Sequence, residues 1–140
     1  MDVIAQFNLH LAKETEHLDL ELARVRVGVE ALLRDPSKGL YFVAENAGRV
    51  IGQLLVTHEW SDWRNGDFWW LQSVYVQRDF RRHGVFKALF EFVLAKAAGQ
   101  PDVCGLRLYM DADNDKAREA YERLGMKETN YRVFERPVRR

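Results

Sequence analysis

Among the 140 residues, the stretch with the clearest chemical promise is Arg81-Arg82-His83-Gly84-Val85-Phe86-Lys87, which follows the strand-like run ending at Tyr75-Val76 and opens a helical pattern. A helix start presents unpaired backbone N–H groups and roughly half a positive charge, and a glycine lets the backbone approach a ligand. Arg78, Arg81, Arg82 and Lys87 add full charges, so the segment suits an anion such as a diphosphate. A solvated basic turn, with Gly84 chosen for its backbone angles, is the plainer alternative. The Gly-Lys-Ser/Thr ending of a nucleotide-hydrolysing loop and the Gly-x-Gly-x-x-Gly of a dinucleotide turn are both missing. Further along, Asn114 and Tyr121 are seven residues apart, close to two helical turns, and can address one ligand from one face. Asn114 also suits a helix N-cap, and Tyr121 falls on the apolar row Ala117, Tyr121, Leu124 as a core tyrosine would. All four tryptophans lie between Glu59 and Trp70, where aromatic walls beside acids suit a cationic or amphipathic amine. Strand core for Trp69 and Trp70, and loop anchors for Trp60 and Trp63, would explain them equally.

The elements that must position these groups follow from periodicity. Helical spacing marks Ile4–Lys13 and Leu18–Leu33, and the turn cluster Asp35–Gly39 separates them from a hairpin of Leu40–Ala44 and Arg49–Glu59. Ser61–Asp67 is polar, and Phe68–Val76 reads as a strand buried on both faces. Val85–Ala97 is an amphipathic helix closed by Gly99 and Pro101, Val103–Met110 a strand, Asn114–Gly125 a helix, and Tyr131–Val138 a last strand. Strand, helix and strand in this order imply a right-handed crossover and a parallel pair, with ligands at the carboxyl ends of the strands.

The turn Arg81 to Phe86 resembles the cofactor motif Gln/Arg-x-x-Gly-x-Gly/Ala of the GNAT superfamily of N-acetyltransferases, with Phe86 standing where the family has a small residue. Asn114-Asp115-Lys116-Ala117-Arg118-Glu119-Ala120-Tyr121-Glu122-Arg123-Leu124-Gly125-Met126 is similar to the second signature, and the resemblance covers nearly the whole chain. It implies an α/β (α+β) fold: a mixed central sheet with a splayed parallel strand pair, flanked by helices, the family's usual first strand being absent. It implies one domain over residues 1–140, acetyl-CoA as donor with coenzyme A as product, no metal, and a primary amine of a small molecule or peptide as acceptor. On that basis Val74, Tyr75, Val76, Arg81, Arg82, His83, Gly84, Val85, Phe86, Lys87, Asn114 and Tyr121 would contact the cofactor. Its pantetheine arm would run between the two diverging strands, taking hydrogen bonds from backbone near Val74 and Val76 as an added strand would. Tyr121 would donate a proton to the departing thiolate, with a phenol pKa of ~10.

An amine nucleophile needs a base, usually a carboxylate or histidine. His58 and Glu59 end the hairpin's second strand on opposite faces, and Glu59 is the preferred base; Asp62 and Asp67 are weaker candidates, and His83 is better placed to bind than to abstract. Trp60, Asp62, Trp63 and Gln72 are the candidate acceptor-binding residues, and the opening helices, which often border the acceptor cleft in the superfamily, contribute Asn8, Glu14 and Glu16. The four histidines show no metal-ligand spacing.

Composition narrows the partners. The 21 basic and 21 acidic side chains cancel, which disfavours nucleic acid and anionic membranes, and no run reaches the ~20 apolar residues of a membrane span. A single cysteine, Cys104, suits a reducing compartment, so cytoplasmic residence is expected. The absent first strand would bare the edge of its neighbour and invite a homodimer. Two rivals remain open: a non-catalytic acyl-CoA sensor that keeps the cradle, and a protein-interaction domain that docks through the Trp-rich loop.

Overall fold

The computed structural model describes residues 1–139. The chain gathers into two compact units, one of residues 1–108 and one from Tyr109 onward. In the first, helices α1 (Asp2–Glu16) and α2 (Leu22–Arg34) precede strands β1 (Leu40–Asn46), β2 (Arg49–Ser61) and β3 (Gly66–Val76), helix α3 (Val85–Ala98) and strand β4 (Val103–Arg107). The second holds helix α4 (Asp115–Arg123).

The helices follow their apolar rows. α1 buries Ile4, Ala5, Phe7 and Ala12 and ends where His17 turns left-handed, so Leu18 and Leu20, expected inside the second helix, lie exposed between the two. α2 buries Val29 against Ile4 and Ala5. α3 buries Leu89, Phe90, Val93 and Ala97.

The sheet order is β1-β2-β3-β4, antiparallel except for the parallel β3–β4 pair. Ala47 and Gly48, both at positive φ, make the tight turn that twists β1 onto β2. Alternation divides the sheet's faces. Phe42, Gly52 and Val56 turn toward α3, where Phe42 meets Phe92, and Gly52 leaves room for Val85 and Leu89. Tyr41, Gln53, Leu55 and Tyr75 turn toward α1, where Phe7 and Tyr75 stack with ring centroids 5.0 Å apart. Leu54, Val56 and Val93 are fully buried, each stabilising the core by about 1.5–3 kcal/mol.

Two features frame the site. The parallel β3–β4 ladder runs from Asp67↔Val103 to Trp70↔Arg107 and stops, so β4 is shorter than its apolar run to Met110 predicts. Beyond it, the β2–β3 register slips between Gln53 and Leu55, and Ser73 takes a left-handed φ of 49°, a bulge that inserts an extra residue into β3. The expected last strand over Tyr131–Val138 does not form: no ladder partner is assigned there, and Tyr131, Val133, Phe134 and Val138 are exposed. Strand-like alternation makes a strand only where an edge accepts it, and the four-stranded sheet ends at β4.

Candidate active site

The turn after β3 is the candidate anion cradle. A short 3₁₀ turn, Arg78–Phe80, carries the chain off the strand, Arg82 and Gly84 take positive φ values of 66° and 79°, and α3 begins at Val85. Gly84 is the N-cap and has no side chain to bond the first turn; the first intrahelical bond runs from Ala88 N to Gly84 O. The N–H groups of Val85, Phe86 and Lys87 therefore have no acceptor within the helix. A Cβ on Gly84 would meet nothing within 4 Å, so the requirement for glycine is its backbone angle rather than space. Phe86 turns its ring onto Phe90, with centroids 6.1 Å apart, one turn along the helix.

The cations sort differently from the sequence expectation. Arg81 faces inward: its Nε donates to Val76 O at 2.8 Å, its Nη2 lies 2.9 Å from Glu14 Oε1, and its guanidinium sits 5.2 Å from the centre of the Tyr75 ring. Arg78 also reaches toward Glu14, and Lys87 lies along α3 beside Glu91. Arg82 and His83 remain exposed at the turn. Tyr75 donates its hydroxyl to Glu14 Oε2 at 2.9 Å. Burial pushes the Glu14 carboxyl up, but hydrogen bonds from Arg81 and Tyr75 and the charges of Arg81 and Arg78 outweigh it, leaving a net lowering. Tyr75 is raised, first by burial and then by Glu14. Glu14 thus ties α1 to the candidate cradle, a role that nothing in the local pattern separates from Asn8 or Glu16.

Next to the candidate cradle, Leu71–Val76 of β3 pairs with β2 but runs beyond the end of β4, so Val74, Tyr75 and Val76 lie on a stretch of β3 without a β4 ladder partner. On the α1 face beyond the helix lie Gln72, Thr57, Trp70, Glu59 and Arg107. Gln72 Nε2 donates to Thr57 Oγ1 at 2.7 Å. Glu59 Oε1 accepts from Trp70 Nε1 at 2.9 Å and from Arg107 Nη1 at 3.1 Å, and the Arg107 guanidinium lies 3.6 Å from the centre of the Phe68 ring. His58 is on the opposite face with Trp69, as alternation predicts. It lines a cleft of about 460 Å³ with Phe42, Asp67, Trp69 and Lys96. Asp67 is therefore on the α3 face too.

Trp60, Asp62 and Trp63 are not brought to the cradle. The β2–β3 hairpin closes tightly from Ser61 to Gly66, and Trp60 and Trp63 are 63% and 85% exposed at its tip. At ~3.3 Å per residue, the tip is ~30 Å of strand from Val76. In the second unit, Asn114 caps α4, its Oδ1 accepting from Ala117 N at 3.1 Å, which commits the oxygen and not the amide nitrogen. Tyr121 is part-buried, and burial raises its phenol above the ordinary value rather than leaving it there. Among the described residues, no three His, Cys, Asp or Glu side chains gather as a metal site would, and no helix is long and apolar enough to cross a membrane.

A helix start without a side-chain cap follows the parallel strand pair, and comparison with known proteins shows the family that this arrangement belongs to. Residues 6–126 match the model of the Acetyltransferase (GNAT) family, and the chain belongs to that family. A solved structure of a possible acetyltransferase from Clostridium difficile 630 is 43% identical, covering 99% of this chain and 91% of that one with a TM-score of 0.93. A mycothiol acetyltransferase of Corynebacterium aurimucosum is 31% identical over 108 residues, 75% of this chain. The chain spans about a third of that relative, covering 35% of its length. A ribosomal-protein-alanine N-acetyltransferase from Brucella melitensis biovar Abortus 2308, 19% identical over 98% of this chain and 95% of that one, shares the fold with a TM-score of 0.71. The chain thus has the mixed α/β architecture of the GNAT family.

Proposed function

We propose that the protein transfers an acetyl group from acetyl-CoA to a primary amine of a small molecule or peptide. The observation that carries this reading is the helix start at Val85 after Gly84, whose N-cap supplies no side-chain bond, set just beyond the stretch of β3 at Val74 and Val76 that has no β4 ladder partner. The donor set fits: helix-start amides and exposed Arg82 and His83 suit a diphosphate, and an unpaired strand edge suits an amide-bearing arm. When bound, acetyl-CoA supplies an activated thioester carbonyl.

The chain's own residues would do the rest. Backbone of Val74 and Val76 aligns the arm, and Asn114, with its cap engaged through Oδ1, offers its amide nitrogen. Glu59 accepts the proton of the incoming ammonium, directly or through water, from a position fixed by Trp70 and Arg107. Tyr121, an ordinary phenol with a pKa of ~10 that burial raises further, carries its proton at neutral pH and would donate it to the departing thiolate; this role follows from its place in the second motif. Gln72 and the Trp70 ring line the acceptor side. The exposed edge of β1 supports pairing between two copies, which sedimentation would detect.

The test is release of free thiol from acetyl-CoA across a panel of amines, with Glu59→Gln and Tyr121→Phe alongside. Turnover on at least one amine, cut by both substitutions, supports the reading. Binding of acetyl-CoA without turnover on any amine would make the protein an acyl-CoA sensor, and absence of binding would leave the exposed Trp-bearing hairpin as a docking element.

A further inference from the structure

Gln53 is the only buried polar side chain in the described core, fully enclosed at 0% exposure on β2 within the apolar run Ile51, Leu54, Leu55 and Val56. Its Nε2 donates to Asn8 Oδ1 at 2.9 Å and to Ser73 O at 3.1 Å, while Asn8 Nδ2 reaches Tyr41 Oη at 3.3 Å. The orientation of the amide is set by Ser73 O, a carbonyl that can only accept. Its own Oε1 makes no hydrogen bond among the described residues, although it is buried. A glutamine held this way is not explained by stability, since an apolar residue of similar size would bury the same volume without an unmet acceptor.

The residue it grips is the one whose backbone is unusual. Ser73 has φ 49°, a conformation that costs a non-glycine residue and persists only where the surroundings enforce it. That residue makes the bulge in β3, three residues beyond the last β3–β4 pair at Trp70↔Arg107 and just before Val74. A bulge bends and twists its strand, here where β3 leaves β4. From these observations we infer that Gln53 is a positioning residue: it locks the Ser73 bulge so that the stretch of β3 around Val74 and Val76, which has no β4 ladder partner, faces the pantetheine arm. The inference rests on the acetyl-CoA reading and adds to it a residue from the neighbouring strand, joined through Asn8 to α1.

The test uses Gln53→Met in the full chain, with two probes: coenzyme A, and 3′-phosphoadenosine 5′-diphosphate, which keeps the diphosphate but lacks the arm. The expected result is a coenzyme A Kd raised about tenfold, with the nucleotide Kd changed less than twofold. Ser73→Gly, which makes the left-handed conformation cheap, should restore most of the lost affinity when combined with Gln53→Met. Equal weakening of both probes, unchanged affinity for coenzyme A, or no rescue by Ser73→Gly would overturn the inference. Should Gln53→Met fail to fold, Asn8→Ala, which removes one of the two acceptors of the Gln53 amide and leaves Ser73 O in place, must show the same split at smaller size, and its absence overturns the proposal. If the unsubstituted protein binds neither probe, the cradle reading itself fails, which is a separate result from a wild type that binds both and a variant that weakens both.

Discussion

Replacing Arg81 by Met should cost stability far more than it costs attraction for the cofactor's phosphates. The side chain makes a 2.8 Å bond to Val76 O and a 2.9 Å ion pair with Glu14, and it covers the Tyr75 ring. Arg81 and Glu14 are 38% and 28% exposed, between the surface pairs worth about 0–1 kcal/mol and the buried pairs that cost about 3–5 kcal/mol when broken. Adding the bond to the Val76 carbonyl, about 1 kcal/mol, and discounting the pair for its exposure gives a loss of about 2 kcal/mol. For a chain of this size that corresponds to a fall of about 8 °C in Tm. Arg81→Lys keeps the charge but cannot bond Val76 O and Glu14 in the same geometry, and should lose about half as much. The assay is thermal unfolding, paired with the salt dependence of coenzyme A binding. Arg82→Gln, at an exposed cation of the turn, should reduce the salt slope with little change in Tm, whereas Arg81→Met should do the reverse. A Tm within 1 °C of the wild type for Arg81→Met, or a salt slope lowered as much as by Arg82→Gln, would refute the assignment.

Other consequences are equally open to measurement. Glu14 has a lowered pKa, so its contribution is complete above the unfolded carboxyl's ordinary value near 4.5 and is lost as pH falls through the folded value; Glu14→Gln should flatten that acid limb of stability in unfolding titrations from pH 6 downward. Gly84→Ala has space for its methyl but not the backbone angle, so it should cost about 1 kcal/mol of stability and several-fold in coenzyme A affinity, read by calorimetry; unchanged affinity would detach the cradle from Gly84. Tyr121→Phe should lower kcat by tenfold or more while leaving the Kd for acetyl-CoA unchanged, and normal turnover would end its assignment as the acid.

How much of this was legible beforehand depended on whether a signal was local. The turn and helix start were readable because a Gly-bearing basic turn between a strand and an apolar helix is a local pattern, and the helix did begin at Val85 after Gly84. The opposed faces of His58 and Glu59 followed from strand alternation alone. What could not be read was tertiary. Arg81 looks like one more cation until α1 brings Glu14 beside it, and 61 residues separate Glu14 from the Tyr75 that shares it. Gln53 left one signal, a glutamine within an apolar run, but the bulge that gives it meaning arises from a register slip between two strands. The tryptophans cluster in sequence, but only the hairpin geometry shows that Trp60 and Trp63 lie exposed at its tip, far along the sheet from the candidate cradle. Tyr131–Val138 has strand-like alternation, but alternation does not supply an edge to pair with.

Where the cofactor binds is the central question, and backbone amide chemical shifts report that residue by residue. On titration with coenzyme A, the largest shifts should fall on Gly84, Val85, Phe86 and Lys87 and on Val74 and Val76 of β3, with the hairpin tip at Trp63 unmoved. Shifts concentrated at the tip, or in the cleft lined by His58 and Asp67, with the α3 start unperturbed, would contradict it.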